Sequence, residues 1–251
     1  MIHFVGAGPG SPDLITVRGK QYLEEADVII YAGSLVNPQL LEYAKKDCEI
    51  HNSAYMTLEQ VIDVIKSTEH EGKMTVRLHT GDPSLYGAIR EQMDRLDELG
   101  IKYAICPGVS SFCGAAAALR AEYTLPDVSQ TVIITRMAGR TPVPEKESIA
   151  ALAAHNATMV IFLSTGLLKE LSAELIRGGY KPDTPAAIVY KASWADQKVC
   201  RCTVEDLAQT ASDNGITKTA LICVGYFLGN DYSLSKLYDK SFETEFRKAE
   251  I

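Results

Sequence analysis

The chain has 251 residues, 46% of them hydrophobic and 23% charged, a balance that excludes a disordered, fibrous or disulfide-stapled miniature scaffold. Its net charge of −7 repels a nucleic-acid backbone, which excludes non-specific RNA or DNA partners. No basic residue precedes Arg18, and the apolar runs fall far short of the roughly 18 residues of a membrane span, so a cytoplasmic chain without a membrane partner is expected.

In chain order, 2–5 is an apolar strand closed by Gly6, and 13–25 follows as a helix with Leu14, Val17, Tyr22 and Leu23 on one face. A second strand covers 28–31. Thr57 and Gln60 form a T-x-x-Q capping signature ahead of Val61, Ile62 and Ile65, which predicts a helix start. Strand 74–79, helix 85–99, strand 103–106 and an alanine-rich helix after Ser110 continue the alternation. Between Ala121 and Thr131 the period lapses around Pro126, which places a domain boundary there. Beyond it the pattern predicts strands at 131–135, 159–163, 186–190, 199–203 and 220–224, with helices at 145–155, 167–177 and 204–212. The expected fold class is therefore α/β, with one α/β domain over 1–122 and a second over 123–251. Six cysteines without a C-x-x-C pair read as buried free thiols, and the scattered histidines predict no protein-bound metal.

The first strand runs into Gly6-Ala7-Gly8-Pro9-Gly10-Ser11-Pro12, where a dinucleotide loop would need a glycine at position 11. Pro9 also removes a backbone donor that a phosphate cradle would use. Tyr31-Ala32-Gly33 offers no carboxylate for a ribose, and Walker, zinc-protease and nucleophile-elbow motifs are absent. Ligands of α/β sheets gather at the carboxyl ends of strands. Here those ends carry Gly6 to Gly10, Tyr31 to Ser34, Thr80-Gly81-Asp82-Pro83-Ser84 and Pro107-Gly108-Val109-Ser110-Ser111. Small residues and hydroxyls suit a flat, polar, uncrowded ligand whose atoms approach the main chain closely. Any one loop is equally well read as a tight turn; four together point to a ligand. Asp82 before Pro83 is also placed to cap a helix starting near Ser84.

Taken in order, Gly6 to Leu14, Tyr31 to Val36, Thr80 to Gly87 and Pro107 to Ser111 resemble the tetrapyrrole methyltransferase family, and the likeness continues through 159–164, 187–193 and 219–225. The resemblance implies S-adenosyl-L-methionine, with S-adenosyl-L-homocysteine as product, held in a cleft between two α/β domains of a homodimer and facing a tetrapyrrole substrate. By motif position it assigns cofactor contacts to Pro9, Thr80, Gly81, Asp82, Ser110, Ser111, Leu163, Ala192, Thr219 and Ala220, with Tyr190 a neighbouring candidate. Asp82 could face the cationic donor or orient backbone groups that do.

Tyr31-Ala-Gly-Ser-Leu-Val36 and Thr135-Arg-Met-Ala-Gly-Arg-Thr-Pro-Val-Pro144 look like the branch acting at C11 of precorrin-4. Thr80 and Leu163 stand where the uroporphyrinogen branch commonly has Gly and Met, which argues against that branch. A sister tetrapyrrole methyltransferase acting on another carbon or on uroporphyrinogen III, and a non-catalytic module binding S-adenosylmethionine or a tetrapyrrole, are the alternatives. A polyacid substrate on an acidic protein needs local cations, and Arg90, Arg136 and Arg140 are the candidates, with Ser34 and Tyr86 as further substrate contacts. Methyl transfer depends mainly on positioning, so no catalytic residue is assigned.

Overall fold

A computed structural model describes residues 1–249. They form two compact units, one of 1–115 together with 191–197 and the other of 116–190 together with the residues from 198 onward. Each is built on a five-stranded sheet, so the α/β class expected from the alternation holds.

In the first unit, β1 (Ile2–Gly6), β2 (Val28–Tyr31), β3 (Glu49–Asn52), β4 (Thr75–His79) and β5 (Tyr103–Cys106) lie in the order β3-β2-β4-β1-β5, every pairing parallel. A parallel sheet needs cover on both faces, which explains the unbroken apolar runs of β1 and β2. Val5, Ile29, Val76 and Leu78 pack with Leu23 of α1 (Val17–Glu25). Ile2, Phe4, Val28 and Ile30 face Val61, Ile62 and Ile65 of α2 (Leu58–His70) and Leu96 of α3 (Arg90–Glu98). Thr57 and Gln60 form the predicted capping box of α2. Helix α4 (Ser111–Leu119) follows β5.

Two local predictions are corrected here, and one strand had not been expected. The helix expected over 13–25 is a 3-10 turn, Pro12–Leu14, then α1, whose N-cap is Thr16. The helix expected over 85–99 begins only at Arg90, because Tyr86 and Ala88 have left-handed backbones (φ 56° and 49°). Strand β3 had no sequence signal: four residues on a sheet edge, half of them exposed, need no apolar alternation.

The second sheet runs β6 (Val132–Arg136), β7 (Thr158–Phe162), β10 (Ala220–Val224), β8 (Pro185–Tyr190), β9 (Lys198–Thr203). Only β6 and β7 are parallel; β10 is antiparallel to both its neighbours, and β8 is antiparallel to β9. One face packs Met159, Ile161, Ile188 and Ile222 against α5 (Ile149–Ala153), α6 (Leu168–Gly178) and α7 (Leu207–Asp213). The helix expected over 145–155 is split, since Ser148 caps α5 after a 3-10 turn at Glu145–Glu147. Tyr123 stacks edge-on to Phe227 with ring centres 5.1 Å apart and lies 3.9 Å from the buried Cys223 thiol, whose pKa burial pushes up to about 12. The expected burial of the cysteines is corrected: only Cys106 and Cys223 are buried, Cys113 is exposed, and Cys48, Cys200 and Cys202 are half-buried. Among the described residues no helix is long and apolar enough to cross a membrane.

Arg77 and His79 share the α2/α3 face of β4. The Arg77 guanidinium donates to Gln92 Oε1 and the Ile30 carbonyl, both at 3.0 Å. Burial and the neighbouring Arg77 charge push the His79 pKa down to about 3. The native imidazole is thus neutral, whereas the unfolded chain takes up its proton near pH 6.5, so stability falls with pH through that window. Going from about pH 7.5 to about pH 5, His79 should cost about 2 kcal/mol. In His79→Gln that part of the acid sensitivity should vanish, which urea midpoints at the two pH values will show; an unchanged difference between them would contradict the assignment.

Candidate functional site

The parallel register places the carboxyl ends of β1, β4 and β5 side by side, Gly6 opposite His79 and Val5 opposite Cys106. Beyond the strands the loops meet main chain to main chain. The Ala7 N–H donates to the His79 carbonyl at 2.7 Å, and Gly8 and Gly81 exchange hydrogen bonds of 3.2 and 2.9 Å. A Cβ on Gly6 would lie 2.5 Å from Gly108 Cα and 2.6 Å from the Gly81 carbonyl oxygen, closer than any side chain permits. Gly81 has φ +60°, which a side chain would strain.

Asp82 braces this junction. Its Oδ2 accepts from the Gly108 N–H at 2.8 Å, and its Oδ1 accepts from the Ser84 N–H at 2.9 Å and from the Ser84 hydroxyl. Burial pushes its pKa up, but the bonds from the Ser84 hydroxyl, Gly108 and Ser84 N–H outweigh it, so the carboxyl sits below its ordinary value and is ionised at neutral pH. The predicted helix cap is thereby corrected: Asp82 closes an Asx turn, no helix begins near Ser84, and the same carboxylate ties the β4 loop to the β5 loop.

The other candidates in this unit surround that junction. Thr80 Oγ1 donates to the Leu35 carbonyl at 3.4 Å, beside exposed Ser34 in the loop after β2. Buried Ser110 accepts through its carbonyl from the Cys113 and Gly114 amides at the start of α4. Ser111 is the first residue of that helix. A Cβ on Gly114, one turn on, would come within 2.8 Å of Pro9, and Ala192 lies next to the same spot. Tyr86 is 44% exposed, not a core residue, and Arg90 lies farther along on α3, paired with Asp94 at 2.7 Å.

In the second unit, the register sets Tyr190 opposite Ala220 and, continued by two residues past Ile161–Ile222, Leu163 on the other side of Ala220. Leu163, Thr219–Ala220 and Tyr190 therefore share one end of three adjacent strands, with Arg136 at the same end of β6. Leu163 and Thr219 are left-handed (φ 53° and 57°), and Leu163 is 62% exposed. Such non-glycine strain persists only where the fold over-determines it, and it gathers at ligand sites. Arg136 donates to the carbonyls of Met137, Thr141 and Pro142, pinning the loop that carries exposed Arg140. Sequence reasoning missed Asn37, whose buried Nδ2 holds the Gly10 carbonyl at 2.8 Å, and Ser193, which accepts the Ser11 N–H at 2.9 Å. An asparagine before Pro38 could have signalled the first; nothing in the pattern signalled the second.

The family model for tetrapyrrole (corrin/porphyrin) methylases matches residues 1–208. This chain belongs to the tetrapyrrole methylase family. The cobalt-precorrin-4 C(11)-methyltransferase of Methanocaldococcus jannaschii is 58% identical to it over 98% of the chain and 95% of that protein. A solved cobalt precorrin-4 methyltransferase superposes with a TM-score of 0.89 at 48% identity, over 91% of this chain and 96% of the other. The uroporphyrin-III C-methyltransferase of Thermus thermophilus, solved with S-adenosyl homocysteine, shares the fold at a TM-score of 0.74 and 24% identity, over 90% and 92% of the two chains.

For this methylase the glycine junction yields a paired test. Gly6→Ala forces backbone apart and should lower unfolding free energy by about 1–3 kcal/mol. Gly166→Ala, with nothing within 4 Å of the new methyl, should change it by less than about 0.5 kcal/mol. Equal denaturant midpoints for the two variants would show that the three loops do not need contact through bare main chain.

Proposed function

We propose that the chain methylates C11 of cobalt-precorrin-4 with S-adenosyl-L-methionine, a step of corrin-ring assembly towards cobalamin. The observation that carries the reading is the backbone-lined junction of Gly6, Gly81 and Gly108 braced by ionised Asp82, in a chain of this family. The names carried by the M. jannaschii relative and the solved cobalt precorrin-4 enzyme support the substrate.

The residues present fit the donor. The strand-end segments 6–10, 31–34, 80–84 and 107–111 offer main-chain groups, hydroxyls and a proline, and none of them carries an arginine or lysine to neutralise a phosphate. The fixed carboxylate of Asp82 suits a cationic ligand and repels a pyrophosphate. In this reading Pro9, Thr80, Gly81, Asp82, Ser110, Ser111, Leu163, Tyr190, Ala192, Thr219 and Ala220 are the donor contacts, as the family resemblance assigns them.

When bound, the donor supplies a methyl group on a sulfonium, already electrophilic. The work of the chain is to hold two partners in line and keep water out, and orientation of that kind can lower a barrier by roughly 7–11 kcal/mol. Asp82 contributes by fixing the loops, since both its oxygens accept from protein donors. Arg140, on the loop that Arg136 pins, and Arg90 would meet substrate carboxylates, with Ser34 and Tyr86 as further contacts. Cobalt belongs to the substrate, held by the ring nitrogens. The proposal extends to a homodimer, on the strength of the family resemblance.

The decisive experiment incubates the purified protein with methyl-labelled S-adenosyl-L-methionine and a series of cobalt-precorrin and precorrin intermediates. Label should enter cobalt-precorrin-4 alone or most rapidly, and NMR of the product should place it at C11. Turnover confined to an earlier intermediate, or label on another carbon, would overturn the assignment.

A further inference from the structure

Residues 191–197 leave β8 and return to β9, two strands of the second sheet, yet they are part of the first unit. They form a tight turn of their own. The Trp194 N–H donates to the Lys191 carbonyl at 3.0 Å, the Gln197 N–H to the Trp194 carbonyl at 3.1 Å, and the Ser193 N–H to Gln197 Oε1 at 2.6 Å. The Lys191 ammonium pairs with Asp196 at 2.6 Å and stands 5.1 Å from the centre of the Trp194 ring. Lys191 and Ser193 have φ of 45° and 68°, a conformation that non-glycine residues keep only when held from outside.

What holds this turn is the Gly10–Ser11 segment of the first strand-end loop. Ser11 donates its N–H to Ser193 Oγ. A Cβ on Gly10 would run into Cδ1 and Nε1 of Trp194 and lie 2.9 Å from the Ala192 carbonyl oxygen. Asn37 grips the Gly10 carbonyl. The segment is thus fixed by its carbonyl, by the next amide and by the indole packed on its Cα. Just upstream, Gly8 is bonded to Gly81, so the whole run from Gly8 to Ser11 has little freedom left.

We propose that Trp194, with Ser193, is a positioning residue for methyl-donor binding: indole and hydroxyl hold the Gly8–Ser11 turn in the shape whose main chain meets the donor. The inference rests on the reading of these strand ends as the donor site and deepens it. A flat, rigid indole fills the space against Gly10 at small entropic cost, and a turn ordered beforehand need not be ordered by the ligand. Trp194 is the single tryptophan of the chain, so its emission reports on this segment without labelling.

The test is calorimetric titration of S-adenosyl-L-homocysteine into the full chain, into Trp194→Ala, Trp194→Phe and Ser193→Ala, with thermal unfolding of each ligand-free protein alongside. The native chain should bind, and its tryptophan emission should shift on saturation. Trp194→Ala should bind about tenfold more weakly, the scale of one lost aromatic contact or hydrogen bond. Trp194→Phe, which restores a flat ring, should stay within about threefold of the native affinity, and Ser193→Ala should fall between the two. Should Trp194→Ala fail to fold, Ser193→Ala and the native emission shift decide. Native-like affinity in the folded Ala variants, or an unmoved emission, would overturn the positioning role while leaving the donor site intact. Failure of the native chain to bind would instead overturn the donor-site reading itself.

Discussion

At the carboxyl ends of β1, β4 and β5, backbone meets backbone with no side chain between, at Gly6, Gly81 and Gly108. Parallel strands bring their ends together, but side chains of ordinary size would hold the following loops apart. Removing the Cβ atoms closes the gap and leaves the junction without side-chain packing to secure it. Asp82 makes good that loss through charge-assisted hydrogen bonds, which are shorter and stronger than neutral ones. The resulting junction is rich in main-chain polar groups and carries one fixed negative charge.

The second sheet reaches a comparable end differently. Its central strand β10 runs against both neighbours, so the exit of β7, the entry of β10 and the exit of β8 fall at one edge. Leu163 and Thr219 adopt left-handed backbones there without being glycine. Strain of order 1–3 kcal/mol at each such residue is tolerable only in a fold with a well-packed interior, and the face of Met159, Ile161, Ile188 and Ile222 supplies one.

Much of this architecture was legible because buried parallel strands read as unbroken apolar runs, as 2–5 and 28–31 do, and because Thr57 and Gln60 spell out a helix start. The glycine loops were legible too, since their composition reflects the close approach they permit. Strand β3 was not, because an edge strand half in solvent has no required pattern. The late start of α3 was hidden as well: Tyr86 and Ala88 take left-handed conformations that their residue types do not announce. The brace from Asp82 to Gly108 spans two loops 26 residues apart, and the contact of Ser193 with Ser11 spans 182. Patterns of period two or 3.6 carry no information about such pairings.

The excursion at 191–197 also bears on the order in which the protein can be completed. The N-terminal sheet has all five strands once Cys106 is made, but the turn that packs on Gly10 and accepts the Ser11 amide follows only after 116–190. At ribosomal speeds of about 5–20 residues per second, that interval lasts on the order of seconds. Throughout it Gly10 lacks its indole cover, because the last piece of the N-terminal unit follows 116–190 in the chain. Cutting the gene between the halves would therefore yield a fragment lacking part of its own wall.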